Sequence, residues 1–133
     1  ALNLVKRPWD YDVMVMENLL GDILSDLTAG IVGGLGMAPS GDIGDKHGLF
    51  QPSHGSAPDI AGMGLANPVA MFLSAAMMLT WLGTRHNEEQ CIEAGALIDR
   101  AVADAFAGGT LKPSEFGGPH GTEDITRAVL NEI

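Results

Sequence analysis

Cysteine is all but absent, with Cys91 the single one among 133 residues. A lone thiol closes no internal disulfide and builds no thiolate metal cluster, so a reducing, cytoplasmic setting is expected. Basic residues are scarce too: seven Lys and Arg face seventeen Asp and Glu, for a net charge of -10. A nucleic-acid binder needs cations to displace phosphate counterions, which excludes that class, and the same sign argument disfavours anionic membrane surfaces. Long hydrophobic runs are missing, since the longest, Pro68 to Leu82, falls short of the ~20 residues that cross a bilayer. No basic stretch followed by an apolar one opens the chain, so no secretory signal is expected in it.

Apolar residues are plentiful at 46%, against 18% charged, which is enough to bury a core of about one domain. Glycine is abundant as well. Eighteen glycines and seven prolines cluster at Gly33–Gly48, Gly55–Gly64 and Gly108–Gly121. Such clusters mark ordered loops with special backbone angles or close approach to a ligand. The chain opens on Ala1-Leu2-Asn3-Leu4-Val5, which reads as a helix already under way and as a piece of a longer protein.

Tyr11–Met16 carries loosely alternating β-branched residues and predicts a short buried strand. Asn18 suits the N-cap of a helix over Leu19–Val32, with Leu20, Ile23, Leu24, Leu27 and Ile31 at helical spacing and Gly33-Gly34 as its stop. Short strands are expected at Met37–Ile43 and Gly48–Gln51, joined by a polar turn at Asp45-Lys46. Asn67-Pro68 opens a helix that runs to Leu82 and stops at Gly83; being apolar all round, it must be covered on every side. A further helix spans Glu88–Ala107, and Thr122 caps a last one after an irregular stretch, Gly108–His120. Strands alternating with helices favour an α/β fold.

Two constellations have the residues for chemistry. Asp22 and Asp26 are four apart on one helix face, where two like charges repel unless a hard cation such as Mg²⁺ or Mn²⁺ joins them. The plainer reading leaves Asp22 at the positive end of the helix dipole and Asp26 solvated. The second constellation is the loop His54-Gly55-Ser56-Ala57-Pro58-Asp59-Ile60 continuing to Ala66-Asn67. Its small residues suit close backbone contact with a ligand, and Asp59 suits vicinal ribose hydroxyls, while a rigid structural loop is the alternative. It fits neither the Gly-x-Gly-x-x-Gly fingerprint nor a phosphate loop ending in Gly-Lys-Ser/Thr. His47, His86 and His120 lack ligand spacing, and Cys91 reads as inert packing.

In this order, about thirty residues apart, the two constellations resemble the isopropylmalate/isocitrate dehydrogenase family. Asn18-x-x-Gly21-Asp22-x-x-Ser25-Asp26 is similar to its metal motif, and His54 to Pro68 to its nicotinamide-dinucleotide loop. Between them lies the similar segment Gly33–Ser40, followed by Ile43-Gly44. Leu73–Leu79 and Gly121-Thr122-Glu123 continue the likeness beyond the loop. The resemblance implies NAD bound by His54, Gly55, Ser56, Ala57, Pro58, Asp59, Ile60, Ala66 and Asn67, and Mg²⁺ or Mn²⁺ held by Asp22 and Asp26. NAD is favoured over NADP because phosphate-selecting members carry Lys and Tyr at the positions of Asp59 and Ile60.

It also implies the C-terminal portion of the family's fold. Residues 1–33 would belong to the small, dimer-forming domain and 34–133 to the large, cofactor-binding one. Family members are roughly two and a half times longer. Their substrate-gripping arginines, proton-handling tyrosine and lysine, and one more metal aspartate have no counterpart among these residues. No catalytic residue is therefore expected in the segment, which alone should be inactive. The whole enzyme would be a homodimer that oxidises a small 2-hydroxy dicarboxylate or tricarboxylate and releases CO₂. A non-catalytic dinucleotide-binding or interaction module is the rival reading.

Overall fold

A computed structural model describes all 133 residues. In chain order the elements are helices α1 (Leu2–Lys6) and α2 (Asn18–Val32), strands β1 (Pro39–Ile43) and β2 (Gly48–Pro52), and helices α3 (Val69–His86), α4 (Glu89–Ala107) and α5 (Thr122–Leu130). Short 3₁₀ turns stand at Pro8–Asp10, Leu35–Met37, Pro58–Ile60 and Ser114–Phe116. The molecule is helix-rich with one small antiparallel sheet. Its two strands are consecutive, pairing Gly41 with Phe50 and Ile43 with Gly48, so they form a hairpin and do not alternate with helices.

Helix α3 is the organising element, with α4 packed along one side and the hairpin on another. Val69, Ala101, Val102, Ile125 and Val129 form the core where α3, α4 and α5 meet, flanked by Phe72, Leu73 and Phe106. Each fully buried Val or Ile there contributes about 1.5–3 kcal/mol. The Ser74 hydroxyl, buried on α3, stands 2.7 Å from both Gln51 O and Ala70 O and ties the helix to β2. At the far end of the hairpin the Phe50 and Trp81 rings lie 5.8 Å apart. The Arg85 guanidinium covers Trp81 at 5.2 Å and donates to Asp45 O in the turn.

Several expectations are corrected. Tyr11–Met16 forms no strand; Val13 and Val15 are 84% and 95% exposed, because no other segment lies alongside to complete a ladder. Helix α2 begins at Asn18 itself, with Glu17 at the N-cap and no side-chain cap bond. Met37 belongs to a 3₁₀ turn, and β1 begins only at Pro39. Helix α3 does not stop at Gly83 but continues to His86, where Asn87 turns left-handed at φ 57°. Gly83 is glycine for space: a Cβ there would stand 2.7 Å from Glu88 O and 2.6 Å from Ile92. Nor is α3 covered all round, since Met71 and Met78 are exposed. The N-cap of α5 is Gly121, whose N–H is accepted by Asp124 at 3.1 Å.

Candidate functional site

Asp22 and Asp26 stand on consecutive turns of α2 and face the start of the hairpin. With Ser40, Gln51 and Ser53 they line an open hollow of about 400 Å³. Ser53 is pinned there by two bonds of 3.1 Å to Ala38 O, one from its N–H and one from its hydroxyl. The chain's one salt bridge, Arg7–Asp10 at 3.2 Å, lies elsewhere, so no Lys or Arg neutralises either aspartate. No further acid, histidine or cysteine joins them to make a three-ligand cluster. The hollow therefore offers two hard anionic ligands with neutral oxygens nearby, a donor set that suits a hard divalent cation but leaves its coordination sphere incomplete.

The second constellation folds into a cleft of about 470 Å³. Of the loop residues singled out from sequence, His54, Gly55, Ser56, Ala57, Ile60, Ala66 and Asn67 line it. Pro58 and Asp59 do not; they sit exposed in the 3₁₀ turn at its rim. The loop's end is sewn to the start of α5. Thr122 donates its N–H to Gly64 O at 2.8 Å and its hydroxyl to Ala66 O. Gly64 itself holds φ +68°, where a side chain would be strained.

Asn67 differs from its neighbours in being buried. Its Oδ1 accepts the N–H of Val69, the first residue of α3, at 3.2 Å, and its Nδ2 donates to Glu115 Oε1 at 2.6 Å; the N-cap position itself falls to Pro68. Neither its N–H nor its C=O bonds another backbone group, so the backbone is what Asn67 can offer a ligand. Glu115, on the cleft wall, was not singled out by the sequence. An isolated acid in an irregular glycine-flanked segment has no periodicity or motif spacing to mark it.

His54 turns its Nδ1 to within 2.9 Å of Gly55 O. His47 and His86 are exposed, whereas the His120 ring accepts the Lys112 N–H at 2.9 Å and clips the segment that carries Glu115. Cys91 is a free, half-buried thiol in the first turn of α4.

The hollow and the cleft are neighbours. Ser53 lines the first and His54 the second, so consecutive residues of one loop belong to both. Fold and site together define an α/β segment in which an acidic hollow and a glycine-rich cleft are lined by consecutive residues, Ser53 and His54.

The chain belongs to the isocitrate/isopropylmalate dehydrogenase family, whose model matches residues 1–129. It is 53% identical to the isocitrate/homoisocitrate dehydrogenase of Thermus thermophilus, over all of this chain and 37% of that one. It is 51% identical to a probable NAD isocitrate dehydrogenase subunit alpha, mitochondrial, of Caenorhabditis elegans, over all of this chain and 35% of that one. The crystal structure of isocitrate dehydrogenase from Methylococcus capsulatus superposes with a TM-score of 0.87 at 40% identity, covering 98% of this chain and 37% of that one. The chain thus spans little more than a third of the length of these relatives.

Proposed function

We propose that this chain is the C-terminal segment of a divalent-metal-dependent oxidative decarboxylase that transfers a hydride from a 2-hydroxy acid to NAD. The observation that carries this reading is that the consecutive residues Ser53 and His54 line the acidic hollow and the glycine-rich cleft respectively. A dehydrogenase must hold the carbon that loses hydride against the nicotinamide, so a metal-held hydroxy acid and a bound dinucleotide have to meet. Asp22 and Asp26 would hold Mg²⁺ or Mn²⁺. When bound, the ion supplies Lewis-acid charge beside the hydroxyl and its neighbouring carboxylate. The cleft would take the dinucleotide, with its small residues allowing close backbone approach and Asp59 at the rim accepting from two free ribose hydroxyls.

The segment supplies binding and orientation. Groups that move protons and grip the substrate carboxylates are not among its cleft and hollow residues, so by itself it would not turn over. The overall reaction would convert hydroxy acid and NAD to keto acid, CO₂ and NADH. Relatives named for isocitrate and homoisocitrate direct the choice of substrates. In the full-length protein, each of these acids and isopropylmalate should be incubated with NAD and Mn²⁺. NADH formation that stops on chelation is the expected result. Absence of metal-dependent NADH with all three would overturn the reading.

A further inference from the structure

One wall of the cleft comes from outside both motifs. The 3₁₀ turn Ser114–Phe116 lies against the glycine-rich segment that follows α2. A Cβ added at Gly33 or Gly34 would come within 3.4 Å of the Phe116 ring, and one at Gly36 within 2.6 Å of both Glu115 carboxylate oxygens. Gly36 does not have a positive φ, so its missing side chain serves the close seat of that carboxylate and not a backbone turn. The same carboxylate accepts from Asn67 Nδ2 at 2.6 Å, and no Lys or Arg pairs with it.

An asparagine amide can be turned end for end, presenting either oxygen or nitrogen to a given neighbour. An ionised Glu accepts only. Here the Val69 N–H donates only. With Glu115 on one side and the Val69 N–H on the other, only one orientation of Asn67 satisfies both; the flipped amide would set oxygen against carboxylate and NH₂ against N–H. The orientation that satisfies both also ties the end of the loop to the first residue of α3.

We propose that Glu115 is the positioning residue of this cleft, acting on dinucleotide binding through Asn67 and not by touching the nucleotide. The inference rests on the nucleotide reading of the cleft, and the experiment separates the two. Steady-state kinetics and NAD titration are run on the full-length protein for Glu115→Ala, Glu115→Gln, Asn67→Ala and the double variant Glu115→Ala/Asn67→Ala. Glu115→Ala should raise the KM for NAD about tenfold, as expected for loss of one charged hydrogen bond, with kcat and the hydroxy-acid KM nearly unchanged. Glu115→Gln, whose amide oxygen still accepts from Asn67, should recover most of the affinity. Asn67→Ala should weaken NAD by itself, and adding Glu115→Ala should then change nothing more.

Gly36→Ala gives an independent arm, because its Cβ displaces the carboxylate. It should weaken NAD in the wild-type background and be tolerated in the Glu115→Ala background. If Asn67→Ala weakens NAD but Glu115→Ala does not, the positioning role is overturned and the nucleotide reading stands. Effects that multiply in the double variant also overturn it, since Glu115 would then act independently of Asn67. If neither Asn67→Ala nor Asp59→Ala affects NAD, both readings fall together. Thermal denaturation of Glu115→Gln shows whether a folded variant is being compared.

Discussion

Asp22 and Asp26 are exposed carboxylates one turn apart with no cation beside them, so they repel each other in the metal-free protein. Asp22→Asn or Asp26→Asn should relieve about a few tenths of a kcal/mol of that repulsion and leave the metal-free melting temperature unchanged or slightly raised. The same variants should lower metal-dependent turnover of the full-length protein by orders of magnitude. Wild-type turnover in either would remove the metal assignment. Asp59 brings a carboxylate to the rim of the cleft. Asp59→Lys with Ile60→Tyr should weaken NAD at least about tenfold and improve NADP, because a cation then faces the 2′-phosphate. An unchanged ratio of NAD to NADP affinity would show that this turn does not read the ribose. At this scale the sequence is most legible where chemistry is written as spacing, as in the aspartate pair and the small-residue loop. Glu115 lies outside that reach, because its partners Gly36 and Asn67 are far away in the chain and only the fold brings the three together.

Helices α2, α3, α4 and α5 were legible because each carries helical periodicity or a start signal, and the hairpin because a polar turn separates two short runs. Their ends were less so. A glycine signals a stop only if the helix needs a left-handed residue there, and Gly83 is instead a contact point between α3 and α4. Gly95 plays the same part from the other helix, since a Cβ there would stand 2.6 Å from Thr80 Oγ1 and 2.7 Å from Ala76 O. Alanine gains up to about 1 kcal/mol over glycine in an open helix, whereas overpacking costs about 1–3 kcal/mol. Backbone oxygen cannot step aside as a side-chain tip can, so packing decides the sign. Gly95→Ala should lower stability by about 1–2 kcal/mol, and Gly95→Val by more. Denaturant melts of the two variants check this, and a stabilised Gly95→Ala would mean that α3 and α4 are less closely packed than the geometry gives. Tyr11–Met16 shows the opposite case, in which a pattern fit for a strand stays unpaired because pairing is a property of the neighbours.

Only 15 of the 133 residues are buried, few for a chain with so many apolar side chains. No helix is long and apolar enough to cross a membrane, so the bare surface is not explained by a bilayer-spanning helix. On α2, Leu20 and Ile23 are 54% and 59% exposed and Ile31 is exposed too, while Leu24 and Leu27 on the same stripe are half-buried. A contiguous apolar helix face of this kind marks a contact surface. The chain matches 37% of the length of two of its relatives. The α2 stripe is proposed to meet α2 of a second copy, with the exposed Gly30 allowing close approach of the partner helix. Ile23→Glu tests this, because Ile23 is exposed and its replacement leaves the interior of the chain intact. A carboxylate left unpaired in a closed apolar contact costs several kcal/mol, enough to shift association by orders of magnitude. Sedimentation of the full-length protein should show a dimer, and of Ile23→Glu a folded monomer with unchanged far-UV dichroism. A wild-type monomer at tens of micromolar, or a variant that still dimerises, would exclude α2 as the contact.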